Sequence, residues 1–163
     1  MAKFSLSTTA EEQSFFNDYF LIGIRSALKD YRFCWTLNRC LGLNLSRTPA
    51  LDIHLFGAQG KKPLSNTLFD HYFEQENKPG TYYFSVYKED LFFSECSYFL
   101  YNNRCEDQLL IPEKKEVDFF FLVPWSANVP SKEWLSLLAD VKDIQWSKLI
   151  EINSLKSKIN FIF

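Results

Sequence analysis

A run of apolar residues at positions 117–123 constrains the fold more than any other part of the sequence. Every residue of the run except Asp118 is apolar, and Pro124 follows it directly. A half-exposed strand alternates apolar and polar residues, whereas a strand covered on both faces reads as a continuous apolar run. The run therefore predicts a central β-strand that is covered on each side or lies at an interface.

Two segments have the apolar spacing of α-helices. Residues 27–41 place apolar side chains on one stripe, Ser26 is predicted to cap the start, and Gly42 is predicted to end the helix in the left-handed conformation. A second helix is predicted to begin at Pro130 and Ser131. The predicted buried stripes are Ala27, Tyr31, Cys34, Trp35 and Leu41 in the first helix, and Trp134, Leu135, Leu138 and Val141 in the second.

The remaining pattern is that of β-strands and turns. Lys88, Glu89 and Asp90 are predicted to join two arms of a β-hairpin, while residues 64–73 fit a helix or a strand equally, and Pro79 and Gly80 mark a turn. Besides the central strand, the predicted strands are residues 15–24, 51–55, 82–87, 91–101, 144–152 and 159–163.

The resulting order, β-α-β-β-β-β-α-β-β, predicts an α+β fold with a mostly antiparallel sheet and two principal helices. A chain of 163 residues has the length of a single domain, so residues 1–163 are assigned to one domain. Residues 1–14 are predicted to be a flexible N-terminal segment of that domain.

The turn ahead of the central strand carries a distinctive pattern. Ile111, Pro112, Glu113, Val117 and Asp118 match an Ile-Pro-Glu-x-x-x-Val-Asp spacing. The stretch resembles the signature of the IPExxxVDY family of Bacteroidetes proteins, in which a tyrosine stands where this chain has Phe119. Residues 21–24, 35–38 and 157–160 are more loosely similar to that family. The resemblance implies no catalytic residue, cofactor or substrate.

Glu113 and Asp118 have two interpretations. Two neighbouring carboxylates with separated pKa values can act as a general acid and base. Carboxylates beside a turn and at the start of a buried strand can also accept backbone N–H bonds and hold a loop in place. The structural interpretation is favoured, so Ile111, Pro112, Glu113, Val117, Asp118 and Phe119 form a predicted structural signature and no residue is assigned as catalytic.

Asn38 is the unusual residue of the first predicted helix, because helical geometry places it within the apolar stripe. A buried amide without partners costs about 1–3 kcal/mol. Asn38 is therefore predicted to bond backbone groups of an adjacent strand or loop and so fix how the helix docks. A contact with a ligand is the alternative.

Aromatic residues make up 18% of the sequence. Rings on this scale fill a large core, and any left over form exposed patches, a dimer interface or the wall of an apolar cavity. The basic and acidic residues, 18 and 20 in number, are interleaved along the chain, which argues against binding of nucleic acid.

No segment has the roughly 20 apolar residues of a membrane span, and the first residues lack the apolar core of a secretory signal. The protein is therefore predicted to be soluble and cytoplasmic. Cys34, Cys40, Cys96 and Cys105 form no C-x-x-C pair, which predicts free buried thiols and neither a metal site nor a cofactor.

His54 and His71 stand in no recognisable nucleophile motif, so enzyme activity has no positive support. The sequence thus favours a non-catalytic domain that acts through protein association, with itself as a homodimer or with another protein, and not with nucleic acid or a membrane. The alternative is a small-molecule module that binds an apolar or acyl-like ligand between helix and sheet.

Overall fold

A computed structural model describes residues 15–56 and 81–162. The predicted flexible segment 1–14, the ambiguous residues 64–73 and the predicted turn at Pro79 lie outside the described residues. The elements are β1 Tyr19–Arg25, α1 Asp30–Leu41, β2 Ser46–Arg47, β3 Ile53–Phe56, β4 Thr81–Phe84, β5 Val86–Asp90, β6 Ser97–Asn102, β7 Arg104–Cys105, β8 Gln108–Leu109, β9 Phe119–Pro124, α2 Ser131–Ala139 and β10 Trp146–Ile150.

Six strands form one antiparallel sheet in the order β10-β1-β9-β6-β5-β2. Strands β3 and β4 pair separately, as do β7 and β8. Strand β9 lies between β1 and β6, and all of its residues are buried. The predicted α+β class, with a mostly antiparallel sheet and two helices, is confirmed, and so is the central strand.

The two faces of the sheet are covered by different parts of the chain. Phe119, Phe121 and Val123 of β9 face a cluster that includes buried residues of α1 and α2. Phe120 and Leu122, the alternate residues, face a second cluster. That second cluster is closed by residues of the β3–β4 pair, of the segment 110–117 and of the C-terminal segment 152–161. Both faces of β9 are therefore buried because helices cover one side and irregular segments cover the other.

Helix α1 begins three residues later than the sequence predicts. Lys29 is the residue before its first turn and supplies no side-chain cap. Ser26 does not cap the helix; its hydroxyl donates to the carbonyl of Asp143 at 2.8 Å and accepts from the N–H of Leu28 at 3.3 Å. Gly42 does end the helix in the left-handed conformation, with φ of 68°. The predicted end is thus confirmed and the predicted start is wrong.

The buried stripe of α1 also differs from the predicted one. Phe33, Cys34 and Leu37 are buried, whereas Tyr31 and Trp35 are 59% and 60% exposed. Cys34 and Trp35 are adjacent, so they point about 100° apart on a helix and cannot both lie at the centre of one stripe. The structure places Phe33 and Leu37, four residues apart, against the sheet.

Two predicted strand boundaries are wrong for a shared reason. Lys88, Glu89 and Asp90 belong to β5, and residues 91–96 form the turn to β6. Strand β2 pairs with β5 at Tyr87 and Lys88 alone, so the rest of β5 is an edge strand. Charged side chains are tolerated on an edge strand. Residues 91–93 are apolar, but they lie in the turn between β5 and β6 and not in a strand.

The C-terminal tail forms a short 3-10 helix, Lys158–Phe161, where the sequence predicts a strand. Phe161 is fully buried against Tyr101 and Phe120, with ring centroids 5.0 and 5.2 Å apart. The apolar pattern of the tail reflects this covering role. Among the described residues, neither helix is long and apolar enough to cross a membrane.

Candidate functional site

Asn103 holds together the turn that precedes β9. Its side chain is fully buried and, among the described residues, bonds backbone groups alone. The Oδ1 atom accepts from the N–H of Ile111 at 2.8 Å, and Nδ2 donates to the carbonyls of Val117 and Lys114 at 2.8 and 3.2 Å. The amide thereby satisfies polar groups at both ends of the predicted signature. Sequence reasoning missed this role, since the Asn102-Asn103 pair signals only the end of a strand.

Asp118 joins three segments at the start of β9. Its Oδ1 accepts from Arg104 Nε at 2.6 Å, and its Oδ2 accepts from the backbone N–H of Ser26 at 3.2 Å. Arg104 also donates to the carbonyl of Lys115. The carboxylate therefore anchors the chain after β1 and the β7 strand to the same turn.

Phe119 occupies the position at which the resembled family has a tyrosine. Its ring is buried and stacks on Phe33 of α1, with centroids 4.3 Å apart and planes 22° apart. Phe119 therefore packs α1 against the sheet, and this packing does not use a hydroxyl group at position 119.

Glu113 is exposed and binds the C-terminal segment. Its two carboxylate oxygens accept from the backbone N–H of Ser157 at 2.7 Å and from the Ser157 hydroxyl at 3.0 Å. Partial burial raises the pKa of Glu113, but the hydrogen bonds from Ser157 and neighbouring backbone outweigh it, so the pKa lies below its usual value. Glu113 and Asp118 share no hydrogen-bond partner among the described residues, an arrangement that favours the structural interpretation over an acid–base pair.

Asn38 is half-buried and bonds both backbone groups of one residue. Its Nδ2 donates to the carbonyl of Leu45 at 2.8 Å, and its Oδ1 accepts from the N–H of Leu45 at 2.9 Å. The neighbouring Cys34 thiol donates to the same carbonyl at 3.5 Å. These are backbone contacts of the predicted kind, and they tie α1 to the loop that follows it. The alternative of a ligand contact stays a hypothesis.

A cleft of about 500 Å³ opens at the end of the sheet where β1 and β6 finish and β9 and β10 begin. Asp118 and Arg104 belong to its wall, so the predicted signature contributes to the cleft from one side. The wall consists of Arg25, Ser26, Ala27, Leu28, Lys29, Asp30, Asn102, Arg104, Asp118, Phe119 and Gln145. We call it the basic cleft, because it contains three cationic and two anionic side chains.

The β5–β6 turn presents the most exposed rings among the described residues. Phe92 and Phe93 are 92% and 95% exposed, and they pack edge to face with centroids 4.8 Å apart. The hydroxyls of Ser94 and Ser126 lie 3.1 Å apart, which places the turn beside Trp125. We call residues 91–96 the aromatic tip. The sequence does not predict this exposed turn, because its apolar residues favour a strand over residues 91–101.

A second set of exposed rings lies on the outer side of α1. Tyr31 and Trp35 are one helical turn apart, and the Arg39 guanidinium lies 5.2 Å from the centre of the Trp35 ring. The core therefore buries only some of the many aromatic side chains. Rings remain in water on α1 and at the aromatic tip.

The reactive side chains are dispersed. All four cysteines are free; Cys34 is buried, and its burial raises the pKa of the thiol to about 11. Cys40 is exposed, so the prediction of buried thiols is wrong there. His54 is exposed beside Tyr83, while His71 lies outside the described residues. In the ranges that the structure covers, no three His, Cys, Asp or Glu side chains are grouped so as to hold a metal ion.

Comparisons with protein-family models, with curated proteins and with solved structures find no match to this chain. The resemblance to the IPExxxVDY family therefore stays a prediction.

Proposed function

We propose that this chain is a non-catalytic cytoplasmic domain that acts through protein association, with a second copy or with another protein. The observation that carries the proposal is the exposure of Phe92 and Phe93 on the aromatic tip. Aromatic side chains are enriched at the centres of protein interfaces, where a few of them supply most of the binding energy. Two adjacent rings on a projecting turn are suited to enter a pocket of a partner.

The aromatic tip is a better candidate than the outer side of α1. Trp35 already has a cation–π partner in Arg39. Phe92 and Phe93 pack on each other, and each is more than nine-tenths exposed. Burial of the tip on a partner therefore removes more apolar surface per residue from water than burial of Trp35.

The alternative is a module for an apolar or acyl-like ligand between helix and sheet. Direct ring stacking between α1 and the sheet, as in the pair of Phe33 and Phe119, fills the place where such a ligand would bind. The basic cleft exceeds the roughly 300 Å³ that ligand sites require, but it is open to solvent and charged side chains stand among the apolar parts of its wall, unlike the enclosed apolar cavity that an acyl ligand requires. These contacts support association over ligand storage.

Membership of the IPExxxVDY family is a further proposal. Its support is the match of Ile111, Pro112, Glu113, Val117 and Asp118 to the family pattern.

Native mass spectrometry of freshly purified protein tests the function directly, because it reports bound proteins and bound small molecules together. We expect complexes that contain a second polypeptide, and we expect Phe92→Ser/Phe93→Ser to remove them. Trp35→Ser is the control, since it removes an exposed ring elsewhere, and it should leave the complexes intact. A monomer that carries an apolar ligand in all three proteins would favour the alternative function.

A further inference from the structure

The aromatic tip and the basic cleft lie at opposite ends of the six-stranded sheet. Asp90 pairs with Ser97 at the tip end of β5 and β6, whereas Asn102 pairs with Phe119 at the cleft end of β6 and β9. Strand β6 connects the two ends, and six residues of extended chain span about 20 Å. One molecule cannot place its own tip in its own cleft.

The basic cleft has the properties of a receptor for an acidic aromatic segment. Its volume of about 500 Å³ is large enough to receive two aromatic side chains, and it is open to solvent on one side. Ala27 and Leu28 contribute accessible apolar atoms to its wall. Arg25 donates to the Gln145 side chain and to the Glu116 carbonyl, and neither Arg25 nor Lys29 forms an ion pair with any described residue. Because Arg104 and Asp118 pair with each other, Arg25, Lys29 and Asp30 leave the cleft with one net positive charge.

The aromatic tip has the complementary properties. Glu95 follows the two rings, is exposed and forms no ion pair within the described ranges. Asp90 precedes the rings, and its ion pair with Lys88 leaves the side chain of Asp90 75% exposed. The exposed carboxylates of Asp90 and Glu95 therefore flank the two rings along the chain.

We infer that the aromatic tip of one copy binds in the basic cleft of a second copy. Phe92 and Phe93 enter the cleft against Ala27 and Leu28, while Glu95 approaches Lys29 and Arg25 at its rim. Apolar burial supplies affinity, and the opposed charges select the orientation. The inference rests on the proposed function and names the partner for the same tip.

Such an interface is heterologous, because two different surfaces of the same chain meet. Each bound copy keeps one free tip or one free cleft, so assembly continues head to tail into a chain or a ring. This behaviour distinguishes the inference from a two-fold dimer that joins tip to tip.

Two variants that each disable one surface provide the test. Phe92→Ser/Phe93→Ser removes the rings of the tip, which contact each other and belong to neither core cluster of the described residues. The variant Ala27→Glu/Lys29→Glu changes two exposed positions of the cleft. Ala27→Glu places a larger, acidic side chain in the cleft, and Lys29→Glu reverses a positive charge. An acidic residue directly ahead of α1 favours the helix dipole, so this variant is expected to keep its fold. Thermal melts followed by circular dichroism verify both folds.

Sedimentation velocity on the purified proteins then measures assembly. We expect wild-type protein and the Trp35→Ser control to form oligomers that grow with concentration, and each double variant alone to remain monomeric. Loss of either surface should weaken association by more than about 30-fold, as for a hot spot of binding. A mixture of the two variants retains one intact tip and one intact cleft, so it should form a one-to-one dimer and nothing larger.

Three results overturn the inference. They are a wild-type protein that stays monomeric, a cleft variant that still dimerises, and a mixture that yields no dimer. If purified protein is monomeric while native mass spectrometry detects a tip-dependent complex with a different protein, the proposed function stands and the self-partner fails. Sedimentation of wild type, but not of the tip variant, with phosphatidylcholine and phosphatidylserine vesicles would identify a membrane surface as the partner instead.

Discussion

At the scale of single residues, Asn103 supplies hydrogen bonds that the turn ahead of β9 does not make within itself. Irregular backbone that covers a sheet carries polar groups away from water, and each such group needs a partner. Asn103 provides one acceptor and two donors from a single side chain. The buried Ile111 and Val117 at the two ends of the turn are thereby fixed against the sheet.

Asn103→Ala should therefore be among the most destabilising polar substitutions in the chain. It leaves the buried N–H of Ile111 and the carbonyl of Val117 without the amide, whereas the Lys114 carbonyl keeps the N–H of Val117. We expect a loss of about 2 kcal/mol or more in the free energy of unfolding. Urea denaturation measures the loss. Asn102→Ala is the control, because Asn102 is partly exposed and, within the part of the chain that the structure describes, its side chain accepts from a single backbone N–H, that of Arg104. Equal losses in the two variants would contradict the role given to Asn103.

Glu113→Gln should change the pH dependence of stability more than stability itself. The folded-state pKa of Glu113 is lowered. The ionised Glu113 carboxylate therefore adds to the free energy of unfolding at pH values above its unfolded-state pKa, about 4.3. This stabilisation is lost as pH falls through the folded-state pKa. The side chain is exposed, so we expect a difference below about 1 kcal/mol at pH 7.

Thermal melts of wild type and Glu113→Gln from pH 7 to about pH 3 test this expectation. The melting temperature of wild type should fall more steeply, and the two curves should converge at the acidic end. Curves that remain parallel over the whole range would show that Ser157 does not bind the charged carboxylate preferentially.

The roles of Asn38 and Asn103 differ in how well they can be predicted from the sequence. Asn38 interrupts a helical stripe, so periodicity alone marks it as a polar group that needs a partner. Asn103 follows a strand, and its partners lie 8 to 14 residues further along in a turn without periodicity. Sequence patterns report position relative to an element, whereas the role of Asn103 depends on where the chain returns in space.

At the scale of elements, β9 was predictable and the orientation of α1 was not. A continuous apolar run has one simple explanation, burial on both faces. The α1 sequence holds more rings than one stripe can bury, so the choice between Phe33 and Trp35 depends on the sheet beneath. Phe33 is selected because it can stack on Phe119.

Gly23 controls how closely β10 approaches β1. A Cβ atom at this position would lie 2.4 Å from Cδ1 of Ile150 and 3.1 Å from Cγ2 of Val117. Gly23→Ala should therefore destabilise the protein by about 1–3 kcal/mol through overpacking.

Ile150→Val removes the Cδ1 atom and should by itself cost about 0.5–1.5 kcal/mol. The double variant Gly23→Ala/Ile150→Val is expected to be less destabilised than the sum of the two single changes, because valine makes room for the added methyl group. Urea denaturation of the four proteins completes the cycle. Additive losses would mean that the two positions do not interact.

At the scale of the whole molecule, the sheet is built from distant parts of the chain. Ile24 pairs with Phe119, and Leu21 pairs with Ile150. Folds dominated by such pairings close long loops before they gain contacts, so we expect refolding in milliseconds to seconds. Stopped-flow dilution from urea measures the rate. Complete refolding within microseconds would contradict the dominance of these long-range pairings.

The same pairing has a consequence during synthesis on the ribosome. Strand β1 is translated long before its two neighbours, because β9 begins at Phe119 and β10 at Trp146. At 5–20 residues per second, the interval between the end of β1 and the start of β9 is roughly 5–20 s. Over that interval the nascent chain carries the apolar segment Tyr19–Arg25 without the strands that will cover its edges. Strand β1 is therefore the segment that we expect a chaperone to bind while the chain is being synthesised.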